Sequence, residues 1–316
     1  MRRMWPEVIR EVRWFAHSRA ALALILMSAV MALWAAISGA TSAVAAVSTF
    51  RETLSRYQAH GEDVANALRS PATVSGGGAE QIIDNPLRHD LDQAVLAFTQ
   101  LQPAGAMSAA LSLGALIAFP VIAFALGVFV ATHDLKSGSI IARWPSSGLV
   151  RFAASKPIAL IAAMTAMTIV TGLLSVPLTW AAGLLVSAET ADLRAFAATG
   201  PDLGQTARIA LLAVLGSATG AAFGLLIGAA TRNRSVTIAV FSVAYLLVPL
   251  LGPGDPRNLL AQAGATAFYF PGQFHPVPLG GISSLSAAWM LVAIALACTC
   301  ASALPWAWRA RAERVA

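Results

Sequence analysis

The chain has 316 residues, 57% of them hydrophobic and 11% charged, with a formal net charge of +6 and a mean hydropathy of +0.70. A soluble domain carries about 25% charged and about 45–50% apolar residues, so this composition excludes a soluble enzyme, a disordered chain and a small disulfide-built secreted domain. The apolar runs are continuous, not alternating in the ten-residue strands of an outer-membrane barrel, which leaves an all-α polytopic membrane protein.

The chain opens with MRRMWPEVIREVRWFAHSR, residues 1–19. Trp5, Val8, Ile9, Val12, Phe15 and Ala16 fall on one helical face, and Arg3, Glu7, Arg10, Glu11 and Arg13 on the opposite one. Pro6 suits a first turn. This predicts an amphipathic helix lying in the membrane interface. The next stretch, 20–48, is uncharged and predicts the first span. It is about twice as long as the 7–15 residue core of a signal peptide, so we read it as uncleaved.

Residues 49–102 form a loop with four basic and seven acidic residues and a Ser75-Gly76-Gly77-Gly78 tract. Helical spacing at both of its ends predicts a small extracytoplasmic cap. His89-Asp90-Leu91-Asp92 resembles a metal cluster only superficially and reads as a solvated acidic helix start. Further spans are predicted at 104–132, 157–187, 207–230, 235–252 and 285–305, all about as long as or longer than the ~20 residues that cross the hydrocarbon. The fourth contains Gly216, Gly220, Gly224 and Gly228, a stripe of small residues that lets two helix backbones approach closely. Between the fifth and sixth, residues 253–284 are rich in proline, glycine and aromatics, which breaks the helix. Cys298 and Cys300 lie in the last span and read as buried free thiols, since C-x-C without a second pair is no zinc site.

Six spans put both termini on one side. The residues 1–19, 133–156, 231–234 and 306–316 carry 14 basic and 4 acidic residues, and the other side carries 7 and 11. The positive-inside rule therefore places both termini in the cytoplasm. No charged residue occupies the middle of a span, which argues against an ion-coupled carrier, where such residues form the pathway. Thr41, Ser42, Thr168, Thr171, Ser175, Thr179 and Ser242 supply uncharged polar groups, for helix contacts or for a cargo.

The connection 133–156 is short and basic and is broken by Pro145. It carries an acid, Asp134, a small pair, Gly138-Ser139, then Arg143, Pro145, Ser147, Arg151 and Lys156. This run resembles the cytoplasmic segment of the membrane subunits of type-2 ABC transporters. The position where that family has an arginine holds Gly148 here, with Arg151 three residues on. At the level of plan the resemblance extends to the N-terminal interfacial helix, the six spans, the basic turn 231–234 and a re-entrant region before the last span.

The resemblance implies a permease that pairs with a second permease subunit, as a homodimer or heterodimer, and binds two copies of an ATPase subunit through 133–156. ATP and magnesium would belong to that partner. This chain has no P-loop: its two lysines, Lys136 and Lys156, follow Leu135 and Ser155. We therefore expect no catalytic, cofactor or metal residues in this chain and no nucleic-acid partner. The expectation is an ATP-driven exporter of a hydrophobic or amphipathic cargo (a drug, peptide or lipid) in a bacterial inner membrane. A secondary carrier is the alternative, and a membrane enzyme a weaker one, because the five histidines are scattered without metal-site spacing.

Overall fold

The computed structural model describes residues 5–75, 82–136, 148–196, 200–231, 233–270 and 278–315. They form an all-α protein apart from one two-residue strand pair. Five helical segments are long and apolar enough to cross a membrane: Arg19–Ala59, Pro103–His133, Arg151–Leu185, Leu203–Thr231 and Ser284–Trp308. Their outer faces carry large exposed apolar side chains, among them Leu26, Leu33, Ile169, Leu211 and Leu296. Such a surface is stable only in lipid, so the fold is that of a multi-pass membrane protein.

Helix α1 (Trp5–Ala16) is followed by α2 (Arg19–Ala59), which Ser18 caps by accepting from the Ala20 N–H. At 1.5 Å per residue α2 is about 60 Å long, twice the hydrocarbon thickness. The helix does not end near residue 48, because no Gly or Pro interrupts 49–58 and Arg51, Glu52, Leu54, Arg56 and Gln58 are good helix formers that continue it. Along the inner face Ser28, Ala32, Ala36, Ala40 and Ala43 are buried, a second small-residue stripe.

The projecting end of α2 meets α3 (Val64–Arg69), strands β1 (Val74–Ser75) and β2 (Ile82–Ile83), and α4 (Pro86–Thr99). Val47, Phe50, Leu87, Leu91, Val95 and Leu193 give this cap its own core. Asp90 accepts from the Thr53 hydroxyl, and Asp92 is paired with Arg88. Thr73 donates its N–H and hydroxyl to Asp84, which holds that carboxyl below its ordinary value. Arg51 joins the cap to Asp192 at 2.7 Å.

The second apolar segment consists of α5 (Pro103–Leu113), a π-helical turn (Gly114–Ala118) and α6 (Phe119–Lys136). Then come α7 (Leu149–Leu185), a 3-10 turn (Ala191–Phe196), α8 (Leu203–Thr231), α9 (Arg234–Leu247), α10 (Pro256–Ala263) and α11 (Ser284–Val315).

Helix α8 is the hub. A Cβ on Gly220 or Gly224 would overlap the carbonyl oxygen of Pro120 or Phe124, and one on Gly228 would lie 2.8 Å from the Val128 Cα. A Cβ on Gly127 would in turn overlap the Ala221 carbonyl. The glycine stripe thus lies backbone to backbone on α6, and Gly216 continues it toward Leu260 of α10. Phe119, Leu160, Met164, Ile209, Leu225 and Trp306 fill the surrounding core.

Two boundaries and one thiol depart from the sequence reading. The expected fifth span is α9, with 14 residues and a length of only about 20 Å, because Pro249 and Gly252 end it. The last helix runs on through Pro305 to Val315, where a tail was expected. Cys298 is buried but Cys300 is exposed on the outer face of α11, so only one of the two thiols is in the core.

Candidate functional site

The predicted cytoplasmic segments meet at one end of the bundle. Lys156, in the second turn of α7, is completely buried, with Nζ 3.6 Å from Glu11 of α1. It lies 4.4 Å from the centre of the Phe152 ring and 5.7 Å from that of Trp306, which meet edge to face. The carboxylate and the negative ring faces together replace the water that the ammonium loses. Trp14 of α1 packs on Phe129 and on His133 at the end of α6, with ring centres 6.0 and 4.6 Å apart. On the other side Arg234 of α9 donates to the Thr132 hydroxyl at 2.5 Å and covers the Phe129 ring. One knot therefore joins α1, α6, α7, α9 and α11.

Helix α1 lies in this knot with an orientation that the sequence reading did not foresee. Glu7 and Glu11 are buried against the bundle, while Trp5, Ile9 and Val12 are exposed. In water this would be inside out. Glu11 meets Lys156 and Glu7 pairs with Arg10, while Val8, Trp14 and Phe15 pack inward and Trp5, Ile9 and Val12 are left for an apolar surrounding such as a membrane surface.

Of the residues proposed for ATPase coupling, Lys156 is in the knot and Arg151 is exposed one turn earlier. Asp134 is in the last turn of α6. Gly138, Ser139, Arg143, Pro145 and Ser147 lie outside the described residues. Gly148 precedes α7 with φ of +76° and ψ of +148°, a conformation nearly confined to glycine that costs another residue roughly 1–3 kcal/mol. The glycine that replaces the expected arginine therefore has a backbone reason.

A second site lies abreast of the middle of α8. A cavity of about 520 Å³ is lined by Pro120, Phe223, Phe241, Ala244, Leu260 and Leu291, among others. Pro120 has no N–H for the Leu116 carbonyl one turn earlier, and the preceding π turn loosens the helix at this point. The Tyr245 hydroxyl donates to that carbonyl at 2.9 Å, while Phe241 stacks on Phe124 with ring centres 3.6 Å apart. Below Tyr245, helix α9 stops. Its last carbonyls would be orphaned at this depth, and Arg257 meets them, donating to Tyr245, Val248 and Pro249 at 2.9, 2.6 and 3.0 Å. Asp255, the N-cap of α10, accepts from the Arg257 guanidinium at 2.6 Å and from the Leu251 N–H at 3.1 Å.

This pair lies between the predicted spans and so leaves untouched the expectation that no charge occupies the middle of a span. Asp255 and Arg257 are outside every apolar run, yet the turn back from α9 carries them to the level of Gly216 and Gly220. The local signal was readable, since Asp-Pro is a helix start, but the depth depends on α9 ending early. Glu11 and Trp306 were also missed as site residues. The sequence gives no indication that an acid on the polar face of α1 and an aromatic beyond the last span converge on one lysine.

The hydroxyls of Thr41, Thr168 and Ser175 donate to carbonyls of their own helices. Those of Thr171 and Thr179 are buried without a partner among the described residues. Also among the described residues, no three His, Cys, Asp or Glu side chains come together as a metal site would require. No protein-family model, curated protein or solved structure matches the chain.

Proposed function

We propose that this chain is the membrane permease subunit of an ATP-driven exporter, with the ATPase on a separate chain. The observation that carries this reading is the buried knot around Lys156. It binds the N-terminal helix, the base of α7 and the end of α11 next to residues 137–147, the stretch that resembles a coupling segment. A push delivered there would reach three elements at once, because a buried ion pair flanked by rings does not slide freely. The charge distribution supports the same orientation, with the knot and both termini in the cytoplasm. Six crossings follow if α9 and the residues after it up to 252 are counted as the fifth, with 253–284, including α10, as a re-entrant region. The mid-depth cavity and its apolar lining suit a hydrophobic or amphipathic cargo. The bacterial inner membrane and a dimer of permeases belong to the same proposal.

The carrier alternative gains one observation, the Asp255–Arg257 pair in the cavity wall. A proton- or sodium-coupled site needs a carboxylate that can exchange its partner. Asp255 is instead bonded to Arg257 by both side chain and backbone and to Leu251. It acts as a helix junction, and the exporter reading is preferred.

The test is a pull-down of the tagged chain from its own host in mild detergent and again in lipid nanodiscs, with mass spectrometry of what co-purifies. A P-loop ATPase in near-stoichiometric amount is the expected result. Its absence under both conditions would overturn the exporter reading in favour of a carrier.

A further inference from the structure

The mid-depth cavity has a chemistry that narrows what it can hold. Tyr245 and Thr219, which border it, donate their hydroxyls to the carbonyls of Leu116 and Leu215. All three nitrogens of the Arg257 guanidinium are engaged, Nε with Asp255, Nη1 with the Tyr245 and Val248 carbonyls, Nη2 with Pro249 and Asp255. A polar head group entering here would have to break bonds already made, and burying it without partners is unfavourable. A hydrocarbon chain needs no such partners.

The cavity also opens sideways. Ala244, Val248 and Leu251 all line it and all are exposed, Leu251 to 83%. They lie where α9 ends, among further exposed apolar side chains such as Leu246, Leu247 and Leu250. The volume of about 520 Å³ is within the usual range for a small-molecule site, roughly 300–1,000 Å³. Helix α9 itself is thinly supported, with Thr237 its only fully buried residue, so the wall next to the opening can yield.

We infer that this cavity is a lateral binding site for one acyl chain of a bilayer lipid, entered between the end of α9 and residues 248–251, with the head group left outside. The inference does not depend on the energy source, so it can fail or succeed separately from the exporter reading.

The test uses the full chain in nanodiscs doped with a phospholipid that carries a photoreactive diazirine near the end of one acyl chain. Labelled peptides are mapped by mass spectrometry. The expected result is severalfold heavier labelling of α8 and α9 around Phe223 and Ala244 than of α2 around Leu33, which is lipid-facing at similar depth. Ala244→Trp, which fills the cavity, should remove this excess, and Leu251→Trp at the opening should reduce it if the first variant does not fold. Leu22→Trp on the outer face of α2 should leave it unchanged. Labelling of α8 and α9 no heavier than that of α2, or an excess that survives both cavity variants, would overturn the inference. So would a photoreactive amino acid at position 244 that links two copies of the chain instead of lipid, because the cavity would then be a seam between subunits.

Discussion

Lys156 shows how one side chain can fix the relation of several helices. Glu11 and two aromatic rings help to make its burial tolerable. Breaking a buried pair by removing one partner costs about 3–5 kcal/mol, whereas replacing both by apolar groups of similar volume is close to neutral. Lys156→Met should therefore lower thermal stability in nanodiscs clearly, and Lys156→Met combined with Glu11→Leu should recover most of the loss. Equal melting temperatures for the single and double variants would show that the pair contributes no coupling. The lysine was conspicuous in the sequence as the last basic residue before a span. Its partner was not, because Glu11 lies 145 positions earlier in a helix whose polar face was expected to meet water.

At the scale of elements, the long helices and the amphipathic α1 were legible, and the ends of the helices were not. Uncharged runs of 20 or more residues leave the backbone no choice but to satisfy itself in a helix, which is why the centres of α2, α7, α8 and α11 were readable. The ends were obscured where a helix leaves the membrane without breaking, as α2 does at Thr49 and α11 at Trp306. Helix α9 failed in the other direction, because an apolar run as long as a span contains Pro249 and Gly252 in its last third. The glycine stripe was legible as a close-contact surface, and the structure supplies the surface it meets, the backbone of α6 from Pro120 to Val128. Inserting a methyl group where the neighbour is backbone forces the helices apart, at a typical cost of about 1–3 kcal/mol. Gly224→Ala should thus lower the melting temperature, while Gly254→Ala, where nothing lies within 4 Å, should leave it nearly unchanged. Similar losses at both positions would mean that helix α8 is not held by close approach to α6.

For the whole molecule, the distribution of charge and the arrangement of helices agree without sharing a cause. The positive-inside rule concerns insertion, and it sorts the loops before any tertiary contact forms. The contacts that form later bring the same basic segments together, through Trp14 on His133, Lys156 on Glu11 and Arg234 on Thr132. A protein that needed only to be anchored would gain nothing from joining its N-terminal helix, its second-to-third connection and its last helix in one buried knot. A protein driven by a cytoplasmic partner would, because the knot turns a local contact into motion of α1, α7 and α11 together. On this reading the basic residues of the connection 133–156 form the docking surface, and those of the 253–284 region do not. Reversing the charge at Arg143 and Arg151 should reduce co-purification of the ATPase far more than substituting His275 in the 253–284 region, while both variants reach the membrane in equal amounts. Equal retention of the ATPase by the two variants would separate the knot from coupling and leave it a purely structural joint.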